Sequence, residues 1–312
     1  MKVLTIITNG FEEIEAIGTI AILRRGNVDL DIYSLIKYDL DHGINFFDIS
    51  DVYNDGESER LLGAVLSEHP ELREKMFIQT KCGIVKDREN DITYFDLSYN
   101  HIIESVDASL KRMNLKYIDS LLLHRPDIFF DAEQVARAFA TLSQQGKVLS
   151  FGVSNFPHEA LKYLKDHTNI PITTNQLQLG LGHLDLVREV LNLNMNNEEG
   201  TEHTGELFFY MKRYNIALQC WSPYQVGFFG GSIFTDPSMK ELNEYLDVLA
   251  AKYNVSKCAI ATAFLLTLGN GIQVITGSTN TKHIQESIDG TKVKLTKAEW
   301  YTLYRKSGNL LP

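Results

Sequence analysis

The 312-residue chain is long enough for one large α/β domain or two smaller ones, and its 44% hydrophobic content excludes a disordered chain. A formal net charge of −10 and a sequence pI near 5.4 argue against a general nucleic-acid surface or an anionic-membrane surface.

From about residue 30 onward, segments typical of strands and of helices alternate, which indicates parallel strands joined by right-handed helical crossovers. The last helix is predicted to be capped by Thr296, with Glu299 three residues later. The predicted strands are 44–48, 76–81, 118–123, 148–153, 172–176, 216–221 and 272–276. The predicted helices are 57–68, 98–113, 131–144, 157–167, 202–213, 238–268 and 296–305.

The N-terminus adds a further βαβ pattern, with strands predicted at 2–8 and 28–33 and a helix at 11–25. The following segment LIKYDLDHG (35–43) is typical of a first barrel helix. Seven strands plus one N-terminal strand make eight, the number that closes a (β/α)₈ TIM barrel. One N-terminal element is then in excess: either 2–8 serves as the first barrel strand, or 28–33 takes that position or joins the next helix. The alternatives are a doubly wound open sheet and an incomplete barrel with a flavodoxin-like βαβ segment.

Three predicted strands end in a polar residue where a buried strand should stay apolar. These residues are Asp48, followed by Tyr53 five residues later, Lys81 and His124. A charged residue at the end of a buried strand needs a reason. Because parallel strands place their carboxyl ends at one edge, we expect these side chains to converge there, where α/β proteins carry their chemistry.

Several motifs occur at these strand ends in a fixed order. They are GINFFDISDVY, IQTKCGI, LLLHRPD, FGVSNF and TNQLQL, followed by WSPY and ITGSTN. In this order the chain resembles the aldo-keto reductases over about 36–312, and it is most similar to the bacterial branch with a tryptophan in its helical tail, here Trp300. The resemblance implies an enzyme that reduces small aldehydes or ketones to alcohols by hydride transfer from NADPH, with NADH as a possible alternative. It also implies four catalytic residues: Asp48, Tyr53, Lys81 and His124.

The chemistry of these four residue types agrees with that implication. Tyrosine near its usual pKa of about 10 is a reluctant proton donor at neutral pH, and a nearby Lys81 ammonium would lower the pKa of Tyr53. Asp48 would keep Lys81 charged, while His124 would hydrogen-bond the carbonyl oxygen. Taken singly, Asp48 and Lys81 could form a structural ion pair, Tyr53 could be a packed core residue, and His124 could cap a strand edge.

No GxGxxG follows a strand and no GxxxxGK[ST] occurs, so the chain lacks the Rossmann and Walker phosphate-binding motifs. The resemblance instead implies a cofactor bound at the carboxyl ends of the strands. Side-chain amides would bind its carboxamide, and an indole would stack on its nicotinamide. A loop at the start of a helix would bind its phosphate. The implied cofactor-binding residues are Ser154, Asn155, Gln176, Trp221, Ser222, Gly277, Ser278, Thr279, Lys282, His283, Glu286 and Ser287.

Two positions depart from the family pattern. His283 stands where many relatives place an arginine for the 2′-phosphate of NADP, and Ser287 where they place an asparagine near the adenine. A neutral imidazole is a poorer phosphate partner than a guanidinium. Lys282 can compensate, so NADPH remains the favoured cofactor.

Residues 1–34 resemble a different protein group, the opening of the ThiJ/PfpI superfamily, and Glu15 falls where that superfamily keeps an acid beside a reactive cysteine. The sequence therefore predicts an atypical segment 1–34 followed by a barrel over 35–312. Alternative functions are a nicotinamide-binding regulatory or redox-sensing module with little turnover, and an inactive chimera.

The three cysteines (82, 220 and 258) are far apart and lack CxxC spacing, which predicts reduced thiols and no metal site. The N-terminus is unlike a signal peptide, and no apolar run reaches 18 residues. We therefore expect a cytoplasmic protein whose partner is a small carbonyl compound, with no nucleic-acid or membrane partner.

Overall fold

The computed structural model describes residues 32–193, 195, 198, 206–227, 230–269 and 271–312, together with the backbone of 3–6. Its strands are β1 (Val3–Ile6), β2 (Phe46–Asp48), β3 (Phe77–Cys82), β4 (Ile84–Asp87), β5 (Ile92–Phe95), β6 (Ser120–Leu123), β7 (Phe151–Ser154), β8 (Ile172–Gln178), β9 (Ala217–Trp221) and β10 (Ile272–Thr276). Its helices are α1 (Ile32–Asp41), α2 (Glu57–Glu68), α3 (Tyr99–Met113), α4 (Ala132–Gln144), α5 (His158–His167), α6 (Asp185–Asn192), α7 (Leu207–Arg213), α8 (Lys240–Tyr253), α9 (Lys257–Leu266), α10 (Thr281–Gly290) and α11 (Lys297–Lys306).

Eight strands form a closed barrel in the order β1-β10-β9-β8-β7-β6-β3-β2, and β4 and β5 form a separate antiparallel hairpin. Pairing is parallel at β1–β2, β2–β3, β3–β6, β6–β7 and β9–β10. The predicted (β/α)₈ fold is therefore confirmed. The seven predicted strands after residue 43 are all present, with ends shifted by up to three residues.

The N-terminal strand predicted over 2–8 serves as the first barrel strand, because Thr5 pairs with Phe47 and Ile6 with Asp48. The predicted helix 11–25 and residues 28–31 lie outside the described residues. Ile32 and Tyr33 belong to α1, so the strand predicted to end at 33 is wrong there. Leu35 and Ile36 are buried together with Ile32, the spacing of one helical face.

The chain divides into two compact units, Leu4–Asn175 and Gln176–Pro312, the second also including Met1–Val3. In the first unit, β6 is buried along its whole length, as expected of a parallel strand covered on both faces. In the second unit, the Trp300 ring lies 4.7 Å from that of Phe264 at an interplanar angle of 4°, and its Nε1 donates to the Phe264 carbonyl at 3.0 Å.

Helix ends show where the sequence pattern was correct and where it failed. The predicted capping box at Thr296 and Glu299 is present. The single helix predicted over 238–268 is wrong, since α8 ends before Asn254, whose φ of 53° is left-handed, and α9 starts after a Ser256 cap. Asparagine adopts this conformation at little cost, which favours the break. Within the described part of the chain, no helix combines the length and hydropathy needed to cross a membrane.

Gly63 is required where α2 packs on α3. A Cβ at this position would stand 2.5 Å from the Arg112 carbonyl oxygen and 2.7 Å from Met113 Cα, and backbone atoms cannot rotate away. We expect Gly63→Ala to lower the free energy of unfolding by about 1–3 kcal/mol in urea titration. Gly231→Ala is the control, because its Cβ meets no atom within 4 Å. Equal midpoints for the two variants would contradict this packing.

Candidate active site

Lys81 is the centre of the predicted site and is buried in the first unit. Its Nζ donates to Asp48 Oδ2 at 2.6 Å, to the Ile49 carbonyl at 3.1 Å and to Tyr53 Oη at 3.1 Å. The side chains of Lys81 and Asp48 are both fully buried. An ammonium has three N–H donors, so these three acceptors match its capacity. The structure thus brings together the predicted residues Asp48, Tyr53 and Lys81.

Strand alternation explains why these groups meet. In β3, Gln79 and Lys81 lie on one face and both reach Asp48, because side chains two residues apart share a face. Gln79 Nε2 donates to Asp48 Oδ1 at 2.5 Å, and Ser120 Oγ donates to Gln79 Oε1 at 3.1 Å. Each carboxylate oxygen of Asp48 therefore accepts a hydrogen bond from β3.

Burial dominates the electrostatics of Lys81. Desolvation lowers the pKa of Lys81 from its usual 10.5, while the negative charges of Asp48 and Asp51 raise it. A buried ion pair gives weak evidence for stability, because desolvation offsets the Coulombic gain.

The predicted residue His124 follows β6 directly and is also buried. Its Nδ1 lies 3.0 Å from Ser50 Oγ, and its ring meets the Tyr53 ring edge-on, with centroids 5.6 Å apart. Burial, and then the positive charges of Lys81 and Arg125, lower the pKa of His124 well below its usual 6.5. At neutral pH the imidazole is therefore uncharged and has a single N–H to donate.

The turn after Tyr53 has an unusual backbone. Asn54, Asp55 and Gly56 have φ values of 46°, 57° and 80°, all in the left-handed region that asparagine, aspartate and glycine tolerate best. Asp55 forms ion pairs with Arg88 and Lys86 on the hairpin of β4 and β5. The hairpin thereby contacts the turn that carries Tyr53 through exposed ion pairs.

Of the predicted residues, Ser154 is the last residue of β7 and Asn155 is the first residue of the loop that follows. Asn155 has a φ of 58°, and its Nδ2 donates to Ser154 Oγ at 2.8 Å and to the His124 carbonyl at 3.4 Å. Asn175 holds the next residue, Phe156, by accepting from its N at 3.4 Å and donating to its carbonyl at 2.9 Å. Two asparagines therefore fix this loop beside His124.

Gln176, Trp221 and Ser222 lie in the second unit. Gln176 Nε2 donates to Gln219 Oε1 at 3.0 Å, and Gln219 Nε2 donates to Gln273 Oε1 at 2.9 Å, which forms a glutamine ladder across β8, β9 and β10. Trp221 is buried at the end of β9, and Ser222 follows with a left-handed φ of 48°. The structure therefore places Trp221 at the end of β9 and Ser222 directly after it, as predicted, whereas Gln176 lies inside β8, which continues to Gln178.

The segment predicted to bind the cofactor phosphate comprises the loop after β10 and the first residues of α10, in the second unit. Gly277, Thr279, Lys282 and His283 are exposed. Ser278 is half-buried, with its Oγ 3.5 Å from His283 Nδ1. A Cβ added at Gly277 would meet no atom within 4 Å, so the space beside this residue is open. The segment therefore offers hydroxyls, the Lys282 ammonium, the His283 imidazole and a helix N-terminus together.

Ser287 and Glu286 lie further along α10. Ser287 is buried, and its Oγ lies 2.9 Å from Tyr224 Oη and donates to the His283 carbonyl at 3.2 Å. Glu286 is half-buried. Among the described residues, no group of three or more His, Cys, Asp and Glu is placed to hold a metal ion.

Several residues beside the site were missed by sequence reasoning. Gln79 had a usable signal, since it lies two positions before Lys81 and shares its face. Ser50 and Asp51 stand inside the FDISDVY motif, but no spacing rule predicts their contacts. Arg125 and Asn175 also lie within the quoted motifs LLLHRPD and TNQLQL without having been singled out.

Comparison with known proteins identifies relatives over most of the chain. A family model described as "Aldo/keto reductase family" matches residues 16–307. The chain is 32% identical to "Uncharacterized oxidoreductase YcsN" of Bacillus subtilis over 283 residues, 88% of each protein. It is 30% identical to "6-dehydroglucose reductase" of Agrobacterium fabrum over 277 residues, 88% of this chain and 86% of the relative.

A crystal structure of an aldo-keto reductase from Klebsiella pneumoniae in complex with NADPH has the same fold. Its TM-score is 0.68 at 17% identity, covering 89% of this chain and 85% of that one. The family match begins at residue 16, inside the segment 1–34. The predicted ThiJ/PfpI resemblance of that segment has no support in these comparisons.

The buried ion pair generates a stability prediction. Asp48→Asn leaves the Lys81 ammonium buried without its counter-charge, so we expect the free energy of unfolding at pH 7 to fall by about 3–5 kcal/mol. The pKa of Lys81 is lower in the folded chain than its usual 10.5. At pH values between the two, the unfolded chain therefore binds one proton more than the folded chain. Stability of the variant should therefore rise with pH across that window, measured by urea unfolding.

Two controls separate this effect from a general loss of charge. Asp48→Asn combined with Lys81→Met removes both charges and should recover most of the loss. Asp41→Asn breaks the exposed Lys37–Asp41 pair, 2.9 Å long, and should change little. A double variant as unstable as Asp48→Asn would contradict the burial argument.

Proposed function

The chain belongs to the aldo/keto reductase family, and from this premise we propose that Tyr53 delivers the proton in its NAD(P)H-dependent reduction of an aldehyde or ketone to an alcohol. Lys81 and Asp48 support Tyr53, and His124 binds the carbonyl oxygen. The observation that carries the proposal is the buried contact of 3.1 Å between Lys81 Nζ and Tyr53 Oη, with Asp48 2.6 Å from the same nitrogen.

The proton donor works because its conjugate base is stabilised. When Tyr53 gives its proton to the carbonyl oxygen, its own oxygen becomes negative, and the Lys81 ammonium already donates to that atom. Removal of water strengthens this interaction, since the local dielectric is low. Asp48 and the Ile49 carbonyl fix the position of the ammonium, so little reorganisation accompanies proton transfer.

His124 has a different task. Its low pKa keeps the imidazole neutral, so it polarises the substrate carbonyl by hydrogen bonding without adding a second positive charge beside Lys81. A nicotinamide, when bound, supplies the hydride that adds to the carbonyl carbon.

The donor set of the chain is suited to this cofactor. The open space at Gly277, the hydroxyls of Ser278 and Thr279, and the exposed Lys282 and His283 are groups that bind phosphate. We assign the carboxamide to the amide and hydroxyl groups of Asn155 and Ser154. The assignment of Gln176, Trp221, Ser222, Glu286 and Ser287 to the cofactor depends on the family resemblance.

The relative from A. fabrum carries the name of a 6-dehydroglucose reductase. A sugar-derived carbonyl is therefore our first candidate substrate, and simple aldehydes are the comparison. We also propose a cytoplasmic location, supported by three buried, unpaired thiols.

We propose that the strand Val3–Ile6 opens the barrel and that the chain has no ThiJ-like activity. Val3–Ile6 is a barrel strand, and Glu15 lies outside the described residues. Burial raises the pKa of all three cysteine thiols, Cys82, Cys220 and Cys258, so none has the character of a reactive thiolate.

Tyr53→Phe tests the proton donor. It removes only the phenolic oxygen, so we expect kcat/KM for carbonyl reduction to fall by about 10²–10⁴-fold while NADPH affinity stays within twofold. Rates are measured from NADPH absorbance, and affinity by fluorescence titration. Tyr117→Phe, a change of the same type outside the site, is the control. Unchanged turnover in Tyr53→Phe would exclude this role.

His283→Arg tests the phosphate segment. A guanidinium binds a phosphate through paired hydrogen bonds that a neutral imidazole cannot form, so we expect the ratio of kcat/KM for NADPH to that for NADH to rise about tenfold. His167→Arg adds the same charge on the exposed face of α5 and should leave the ratio unchanged. An equal shift in both variants would place His283 away from the phosphate.

A further inference from the structure

Ser50 lies between His124 and Asp51, and these neighbours compete for its single hydroxyl proton. Ser50 Oγ is 3.0 Å from His124 Nδ1 and 3.2 Å from Asp51 Oδ1. The Lys81 carbonyl lies further away, at 3.5 Å, and Val52 N donates to the same oxygen at 3.4 Å. Because a hydroxyl has one proton, Ser50 donates fully to only one acceptor at a time.

The choice of acceptor decides which nitrogen of His124 carries the proton. If Ser50 donates to Asp51, the short contact to His124 requires an N–H at Nδ1, and Nε2 is left as an acceptor. If Ser50 donates to Nδ1, the proton of the neutral ring is on Nε2. With Nδ1 occupied by Ser50, only an Nε2–H can donate to a carbonyl oxygen.

We propose that Asp51, acting through Ser50, sets the tautomer of His124 and is a positioning residue for carbonyl reduction. This inference rests on the function proposed above. With Asp51 protonated, its O–H donates to Ser50, Ser50 donates to Nδ1, and Nε2 carries the proton that polarises the substrate. With Asp51 ionised, both hydrogen bonds reverse and Nε2 loses its proton.

The interconversion takes up one proton in total. Nε2 gains a proton from solvent, the Nδ1 proton passes to Ser50 Oγ, and the Ser50 proton passes to Asp51. The imidazole stays neutral before and after, in agreement with the low pKa of His124.

The charges around Asp51 place this change near neutrality. Burial and then the Glu59 carboxylate raise the pKa of Asp51 to about 7, while the Ser50 hydrogen bond and the Arg112 guanidinium lower it. Arg112 Nε donates to Glu59 Oε2 at 2.6 Å, which moderates the effect of Glu59. On β3, Lys81 and Cys82 also interact electrostatically with Asp51. Asp51 is therefore protonated below about pH 7 and ionised above it.

The first test is the pH profile of kcat/KM for reduction between pH 5.5 and 8.5. The wild type should fall about tenfold between pH 6 and pH 8, as Asp51 loses its proton. In Asp51→Asn the amide N–H donates to Ser50 as the protonated carboxyl does, so activity should stay near the pH 6 value throughout. A wild-type profile without this fall, or the same fall in Asp51→Asn, would overturn the proposal.

Two variants at Ser50 test the connection itself. Ser50→Ala removes the relay, so the step near pH 7 should vanish, whereas Ser50→Thr keeps a hydroxyl and should restore it. Circular dichroism establishes that each variant is folded. A step that persists in Ser50→Ala would show that Asp51 does not act through Ser50, and would overturn the proposal.

The second test reads the tautomer without turnover. Ring nitrogens of His124 are observed by NMR in ¹⁵N-labelled protein and assigned by their absence in His124→Asn. We expect Nε2–H at pH 6 and Nδ1–H at pH 8 in the wild type, and Nε2–H at both in Asp51→Asn. One tautomer throughout in the wild type would overturn the proposal. Full activity of Tyr53→Phe would instead overturn the proposed function and leave the tautomer result intact.

Discussion

The buried ammonium of Lys81 is the constraint on which the rest of the site depends. An ammonium removed from water needs hydrogen-bond acceptors from the protein. Asp48, the Ile49 carbonyl and Tyr53 therefore all have to lie within about 3 Å of Lys81 Nζ. This is possible only in the observed register, where Asp48 on β2 is opposite Gln79 on β3. A slip of one residue would turn Lys81 to the other face of the strand. The pairing of β2 with β3 therefore also fixes the position of the Lys81 ammonium beside Tyr53.

The two faces of β3 carry two charge networks. Lys81 points toward Asp48, while Thr80, one residue earlier, donates from the opposite face to Glu59 at 2.6 Å. Glu59 is paired in turn with Arg112 on α3. Asp51 interacts electrostatically with Glu59 and Arg112 of one network and with Lys81 of the other.

Much of this site was predictable because a polar residue at the end of a buried strand is visible in a sequence. Asp48, Lys81 and His124 were found in this way. The alternation of predicted strands and helices along the chain indicated the barrel. The contact of Ser50 with His124 joins positions 74 residues apart through two loops, and no local pattern encodes it. The hairpin over 84–95 is absent from the predicted strands, and the left-handed break at Asn254 lies within a stretch predicted as one helix. The Ser50–His124 contact is tertiary, whereas the hairpin and the break at Asn254 are local features that the strand and helix patterns did not resolve.

The hairpin of β4 and β5 has a consequence for the evolution of the sequence around the candidate site. Its Arg88 and Lys86 hold Asp55, two residues after Tyr53, yet both basic side chains are exposed and lie outside the buried core. Substitutions on this exposed hairpin change the free energy of unfolding little, since surface changes seldom affect stability. Asp55 belongs to the turn that follows Tyr53, so such substitutions change the surroundings of the proposed proton donor. The hairpin is thus a place where natural variation can reach the proposed active site from outside while the four buried residues stay unchanged.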